Sequence, residues 1–431
     1  MSEHTEDTDT LERIKGMKYG FVTGPAGSGK TTLIKQLVKS DASWGLVTAT
    51  TGVAARVLGE GTPTVNSALG FFDSDSLSRA VSKGSLAHNI QELKKKFDRV
   101  IIDEASMLPA EMLDVIVKEC EKAKMGVILV GDPLQLPPVT KNFTRPDWMF
   151  NAKCWSRLFA QTTVRLATQY RHTNKDFLKG LNLLRAGRGG ESLPFLKKAG
   201  VKLSPVPSAS SPPEPETDVT IVATNGTKNA IDSKHYHSLT GHERTFKTAR
   251  WGEQHPDWQK EIPETVSLKV GCRVMILRNK YEDTVLTQAN GETGKVIGLS
   301  DTIVTMRRDS DNKIIEVGMQ ETDNGERIIK ITATGREVKM TKNPTGGVTY
   351  MPIVRAFAVT VHKSQGLTIT TPTRVRLWSD EFFKNPAMVY VACSRVKNPK
   401  HLDIVGGDNV FSDVTLLEER TVTDPSCQVW I

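Results

Sequence analysis

A lysine and two threonines close a run of glycines at Gly24-Pro25-Ala26-Gly27-Ser28-Gly29-Lys30-Thr31-Thr32. This is the spacing G-x-x-x-x-G-K-[ST], and it stands between an apolar run, "YGFVT", and a stretch with helical character, "KTTLIKQLV". Glycines let consecutive backbone N–H groups curl around phosphate oxygens, and a helix N-terminus adds a favourable dipole. Lys30 is placed to reach the β- and γ-phosphates, and the Thr31 hydroxyl to hold Mg²⁺. The cradle therefore predicts a bound nucleoside triphosphate and by itself says no more.

Two further strand tips carry candidate chemistry. "RVIIDEAS" delivers Asp103 and Glu104 after buried aliphatics. An acid at such a tip can hold Mg²⁺, and its neighbour can take a proton from an attacking water. Adjacent acids after a strand can equally cap a helix N-terminus. "GVILVGDPLQLPPV" brings Asp132 and Gln135 to a similar place. A glutamine amide both donates and accepts, so Gln135 can sense a γ-phosphate or a water; the alternative is a proline-rich turn that closes the domain.

These residues need a scaffold that collects strand ends on one side. From Tyr19 to about Trp155 short apolar strands alternate with helical stretches, the habit of a parallel sheet covered on both faces, whose ligand sites gather at the carboxyl ends of the strands. A second alternating region begins near "TTVRLATQYRH" and resumes at "TDVTIVATN" and "RAFAVTVHKSQGLT". "SPVPSASSPPEPET", Ser204 to Thr217, reads as an extended surface loop. From Val266 to Met351 short β-type runs are separated by "NG", "DN" and "GG" turns, which predicts an inserted antiparallel β-barrel. The expected organisation is α/β: a first domain over 1–155 with a small insertion at about 64–97, a second over 156–265 and 352–431, and the barrel over 266–351.

Composition narrows the setting. A chain of 431 residues exceeds a single hydrophobic core and suits several domains. Its net charge of +8 fits a polyanionic partner. No apolar run reaches the length of a membrane span and "MSEHTEDTDT" is acidic, so no membrane association and an intracellular, soluble protein are expected, cytoplasmic in a bacterium or phage. Cys120, Cys154, Cys272, Cys393 and Cys427 are scattered without a C-x-x-C pair, which argues against a disulfide framework or a structural zinc site.

The glycine-rich run, "DEASM" and "GDPLQLPPV", in that order, resemble motifs of superfamily 1 helicases, in particular the 5′→3′ translocating group that includes RecD and Dda. "QYRH" around Arg171, "VTVHKSQGLT" and "VYVACSRVK" resemble the later motifs of that group. The resemblance implies two RecA-like P-loop domains with ATP and Mg²⁺ in the cleft between them. Lys30, Asp103, Glu104 and Gln135 would act from the first domain, and Arg171 and Arg395 from the second as fingers on the γ-phosphate. Either arginine could instead form a surface ion pair. By the same resemblance single-stranded DNA would cross both domains, touching Thr50, Thr51, Asn66 and Ser67 in the first and Thr360, His362 and Ser364 in the second. His362 could also be a satisfied structural histidine. The insertion would separate strands, with Phe71 and Phe72 as its apolar wedge or as core. Two departures stand out: Met1 to Tyr19 holds no glutamine where relatives read adenine, and Asn66 replaces a usual histidine. The function implied is an ATP-dependent DNA helicase, acting as a monomer on single-stranded and forked duplex DNA beside replication or single-strand-binding proteins. A translocase that strips bound proteins, an RNA helicase and a small-molecule P-loop kinase remain the alternatives.

Overall fold

The computed structural model describes residues 2–59, 62–138, 147–204, 219–254, 258, 262–282, 285–331, 337–370, 372–376, 387–406 and 425–430. The proline- and serine-rich stretch lies outside the described residues from 205 onward.

The first sheet runs in space through Leu46–Ala49, Arg99–Asp103, Gly126–Gly131, Tyr19–Thr23 and Thr163–Arg165, with every pairing parallel. Its strands read as unbroken apolar runs because both faces are covered. Val100, Ile102, Val127 and Leu129 enter one apolar cluster, while Ile101, Ile128 and Val130 enter another on the opposite face. Parallel pairing puts Thr23, Asp103 and Gly131 at the same edge, so the three loops that follow open on one cleft.

The second sheet has the same character. Ala358–Thr360, Val219–Val222, Thr373–Arg376, Leu402–Val405 and Lys202–Ser204 lie side by side, all parallel. Its core includes Val219, Ile221, Val375, Val391 and Ile404, and it also takes in Ala26 and Leu136 from the first domain. The two domains thus share apolar contact at the cleft floor. A fold of two RecA-like parallel-sheet domains with inserts is what the sequence predicted.

The first insertion is helical: Val65–Leu69, Ser74–Ser82 and Ser85–Lys94. Asp73 starts the middle helix with a capping box, accepting from the Ser76 N–H while Ser76 returns the bond. Leu77, Ala80, Leu86, Ile90 and Leu93 bury against the first core, so the insertion is anchored to its domain.

The second insertion forms antiparallel sheets around Phe246, Leu268, Val274, Ile276, Val296, Val304 and Met306. Its largest sheet runs Ile314–Gly318, Ile303–Arg308, Thr293–Leu299, Arg273–Ile276, Ile353–Arg355. Antiparallel pairing begins at Glu243–Lys247, ahead of Val266, because "ERTFK" alternates and turns Phe246 into this core. Thr163–Arg165, expected at the start of the second domain, instead pairs with Tyr19–Thr23 as the edge of the first sheet. A further departure concerns the C-terminal turn Pro425–Trp430, also expected with the second domain. It seats on the first: Trp430 meets Phe21 and Trp155 edge-on at 5.5 and 6.2 Å, and Arg165 donates to the Val429 carbonyl. Among the described residues no helix is long and apolar enough to cross a membrane.

Candidate nucleotide site and nucleic-acid groove

The cradle is built by backbone geometry that only glycine holds without strain. Gly27 and Gly29 have φ of 80° and 82°, and a Cβ on Gly27 would run into the Arg171 side chain. The helix Lys30–Ser40 starts directly after Gly29 with no side-chain cap, which leaves its first N–H groups to a ligand. Lys30 is buried, and its ammonium donates to the carbonyls of Gly24 (2.7 Å) and Pro25 (2.9 Å). Burial pushes the Lys30 pKa down, while the fields of Asp132, Glu104 and Asp103 push it back up.

Asp103 and Thr31 meet at the next strand tip. The Thr31 hydroxyl donates to Asp103 Oδ2 at 2.8 Å, and the other carboxylate oxygen accepts the Glu104 N–H at 2.8 Å. Burial, then the neighbouring Glu104, pushes the Asp103 pKa up to about 6. A divalent cation would reverse that shift. Two hard oxygen donors within bonding reach of one another fit Mg²⁺, which takes one or two protein oxygens and fills its octahedron with water and phosphate. Among the described residues no group of three or more His, Cys, Asp or Glu could hold a metal, consistent with so sparse a protein share. Glu104 itself sits at φ 53°, ψ 38°, a left-handed conformation that costs a non-glycine residue about 1–3 kcal/mol. The strain turns the chain from strand into the short turn Ala105–Met107 and leaves the Glu104 side chain half-buried at the cleft.

The second domain closes over these groups. Arg395 is 1% exposed, its guanidinium donating to the Val391 carbonyl at 3.0 Å and to the Ser394 hydroxyl at 2.8 Å. Burial, and after it the Arg171 charge, pushes its pKa down to about 10; Glu104 opposes this. Arg171 donates to the Ser394 carbonyl at 3.5 Å and is likewise shifted down by burial against the field of Glu104. Two guanidiniums thus stand together in the field of Glu104, while the other nearby acid, Asp132, is already paired with Arg185, an arrangement suited to receive a phosphate. Gln135 is buried with its amide oxygen unbonded among the described protein groups.

Four residues of this site escaped the sequence reading. Gln365 donates to Glu104 Oε2 at 3.3 Å and to the Ser106 hydroxyl at 3.4 Å, crossing from the second domain to the acid. The Tyr170 amide donates to the Gly27 carbonyl at 2.7 Å, and its exposed ring lies beside Gly29. The Tyr390 hydroxyl accepts the Ala26 N–H at 2.9 Å, and Arg185 pairs with Asp132. Gln365, Tyr170 and Tyr390 lie inside the stretches "VTVHKSQGLT", "QYRH" and "VYVACSRVK", and membership of those stretches was the available signal.

A groove of about 820 Å³ runs between the helical insertion, the second sheet and the antiparallel block. Phe72 and Arg79, Thr360 and Lys363, and Trp258 and Arg278 line it from the three sides. Of the expected strand contacts, Thr360 and Phe72 are on its wall. Thr50 and Thr51 lie behind the cleft: the Thr50 hydroxyl donates to the Glu104 carbonyl at 2.9 Å, and Thr51 Oγ1 accepts the Ala54 N–H at 3.2 Å. Asn66 donates to the Phe72 carbonyl at 2.6 Å and the Ser67 N–H to Thr64 Oγ1 at 3.2 Å, so both shape the turn that presents Phe72. His362 is half-buried, and its pKa is lowered by burial and by Lys363.

Two expectations are corrected. Phe71 is 2% exposed inside the first-domain core, so it cannot act as a wedge; Phe72, 43% exposed, is the one presented. Ser364 is 0% exposed with its hydroxyl donating to the Val361 carbonyl at 2.8 Å, which removes that side chain from any strand.

Two facing parallel-sheet domains, a phosphate cradle and acid pair on one and paired arginines on the other define a two-domain motor NTPase. Residues 8–201 match the family described as an AAA domain. The chain is 29% identical over 431 residues to the ATP-dependent DNA helicase Pif1 of Bdellovibrio bacteriovorus, covering 93% of this chain and 87% of that one. It is 28% identical to the ATP-dependent DNA helicase PIF7 of Trypanosoma brucei brucei, covering 90% of this chain but 44% of that longer protein. The structure of a Bacteroides Pif1 helicase in complex with ADP-AlF3 and single-stranded DNA superposes with a TM-score of 0.70 at 24% identity, covering 98% of this chain and 95% of that one. Over nearly its whole length the chain is similar to ATP-dependent DNA helicases of the Pif1 group.

Proposed function

We propose that this chain is an ATP-driven motor that moves 5′→3′ along single-stranded DNA and separates duplex ahead of it. The observation that carries the reading is that Arg171 packs on the cradle at Gly27 and reaches Ser394 on the helix that ends at Arg395, while Tyr390 of that helix accepts the Ala26 N–H of the cradle. In this reading Lys30 and the amides after Gly27 hold the β- and γ-phosphates. Thr31 and Asp103 would hold Mg²⁺, which when bound would neutralise phosphate charge. Glu104 accepts the proton of the attacking water, and Gln135 and Gln365 orient it. The two arginines stabilise charge on the departing γ-phosphoryl, a role worth about 10³–10⁵ in rate. Because they belong to the second domain, hydrolysis is coupled to opening and closing of the cleft, and the groove that spans both domains is drawn along the strand.

The groove supports a nucleic-acid path: Arg79, Arg278 and Lys363 suit phosphates, and phosphate contacts carry no base information. Phe72 stands where an apolar wedge could part a fork. The relatives are named DNA helicases, which favours DNA over RNA. Monomeric action on forked duplex within the cell is part of the same proposal. The deciding measurement is unwinding of matched duplexes bearing only a 5′ or only a 3′ single-stranded overhang, with and without ATP. Strand separation confined to the 5′ overhang with ATP is expected; separation confined to the 3′ overhang, or none with either, would defeat the proposal.

A further inference from the structure

Asp132 ends the strand Gly126–Gly131 and is 0% exposed. A carboxylate taken so completely out of water needs a cation. Arg185, on the second-domain helix Lys175–Arg185, meets it with both forks, Nη2 to Oδ1 at 2.7 Å and Nε to Oδ2 at 3.1 Å. A second cation lies close by. Thr23 pairs in register with Gly131, which sets Asp132 beside Gly24, and the Gly24 carbonyl accepts from the Lys30 ammonium at 2.7 Å; the field of Asp132 favours the charged ammonium. Yet the bonds Lys30 makes are to uncharged oxygens, the carbonyls of Gly24 and Pro25 and the Ser28 hydroxyl. Beside this pair the second domain reaches the cradle again, where the Tyr390 hydroxyl accepts the Ala26 N–H at 2.9 Å. The second domain therefore grips the first at two buried points, one a charge beside the cradle and the other an amide within it.

We infer that Arg185 is a positioning residue for nucleotide binding: with the cleft closed it holds Asp132, so that Lys30 is left to turn from backbone carbonyls to phosphate. With the cleft open, Asp132 loses Arg185 and draws Lys30 to itself. Tyr390, through the Ala26 N–H, keeps the second domain in register with the cradle. Grip on the nucleotide is then set by the second domain through a change of ion partner, and each opening of the cleft weakens it, which suits release of product. This inference rests on the phosphate role of Lys30 proposed above.

The test is titration of the full chain with N-methylanthraniloyl-ATP and magnesium. Arg185→Ala should weaken binding by about tenfold or more, since it leaves Asp132 to capture Lys30. The double variant Asp132→Asn/Arg185→Ala should bind within about twofold of wild type, because no carboxylate remains at that position to compete. A mere strut between domains predicts the opposite, a double variant as weak as Arg185→Ala, and that result would overturn the inference. So would Arg185→Ala binding like wild type. If Arg185→Ala does not fold, Arg185→Gln and Arg185→Lys replace it: the glutamine variant must bind weakly and the lysine variant must stay within a few-fold of wild type. Failure of the underlying reading looks different, since Lys30→Ala would then bind the probe as tightly as wild type.

Discussion

The nucleotide cleft and the groove hold charge in different ways. In the cleft the charges are buried and fixed: Asp103 and Asp132 end strands of one sheet, Arg395 is enclosed by its own helix, and each is bonded by fixed neighbours. In the groove Arg79 and Lys363 are exposed and come from the helical insertion and the second sheet domain. Buried charges act through a low dielectric and reward one geometry, whereas exposed charges act through screened fields and tolerate many. Chemistry on a single phosphorus atom needs the first kind. Sliding along a polymer of repeating phosphates needs the second.

The difference can be broken most directly at Lys30. Lys30→Ala should abolish strand-stimulated ATP hydrolysis, by about 10³-fold or more, while single-strand affinity in the absence of nucleotide stays within about threefold. A large loss of strand affinity would mean that cleft and groove are not separate surfaces. Arg395→Ala should follow, lowering kcat by about 10³-fold with little change in nucleotide affinity, because its contact strengthens only as charge builds in the transition state. Equal loss in kcat and affinity would show a binding residue instead.

Both variants concern residues the sequence exposes plainly, and the reason is local. A parallel strand buried on both faces delivers its last residue to one edge, so "RVIID" and "GVILVGD" place Asp103 and Asp132 without knowledge of the rest of the chain. What the sequence hides is the outcome of competition between adjacent or distant groups. Phe71 and Phe72 are equally apolar, and only the turn held by Asn66 and Ser76 decides that the first is buried and the second presented. Arg185 finds Asp132 across a separation of 53 residues, and Tyr390 finds Ala26 across 364, distances over which no periodicity speaks. The C-terminal turn was hidden for the same reason, since Trp430 docks among Phe21, Phe150 and Trp155, residues far from it in sequence.

In the groove the expected losses are smaller and additive. Arg79→Ala and Lys363→Ala should each weaken single-strand binding by about three- to tenfold and lower the dependence of log affinity on log salt by about one. The double variant should sum the two effects, as independent screened contacts do. Hydrolysis at saturating strand should be unchanged. An unaltered salt slope would place the strand elsewhere than on this wall.

The smallest effect expected separates the regions by pH. Asp103 carries a pKa raised from 3.8 to about 6, first by burial and then by Glu104. Between those values the folded chain binds more protons at this position than the unfolded chain. The contribution of Asp103 to stability therefore falls as pH rises from about 4 to about 6 and stays low above that window. Asp103→Asn keeps the shape and removes the titration. Without nucleotide it should flatten the pH dependence across the window and raise Tm at pH 8 by about 1–3 °C. Added magnesium and ADP should reverse the order. A cation stabilises the ionised carboxylate and competes with its proton, so the rise in Tm on adding them should be larger at pH 8 than at pH 5.5 in the wild type. Asp103→Asn should lose that difference, and Arg79→Ala, in the groove, should keep it. If Asp103→Asn left both the melting profile and its response to magnesium nucleotide unchanged, Asp103 would be an ordinary solvated acid, and its bond to Thr31 would have no bearing on the cation.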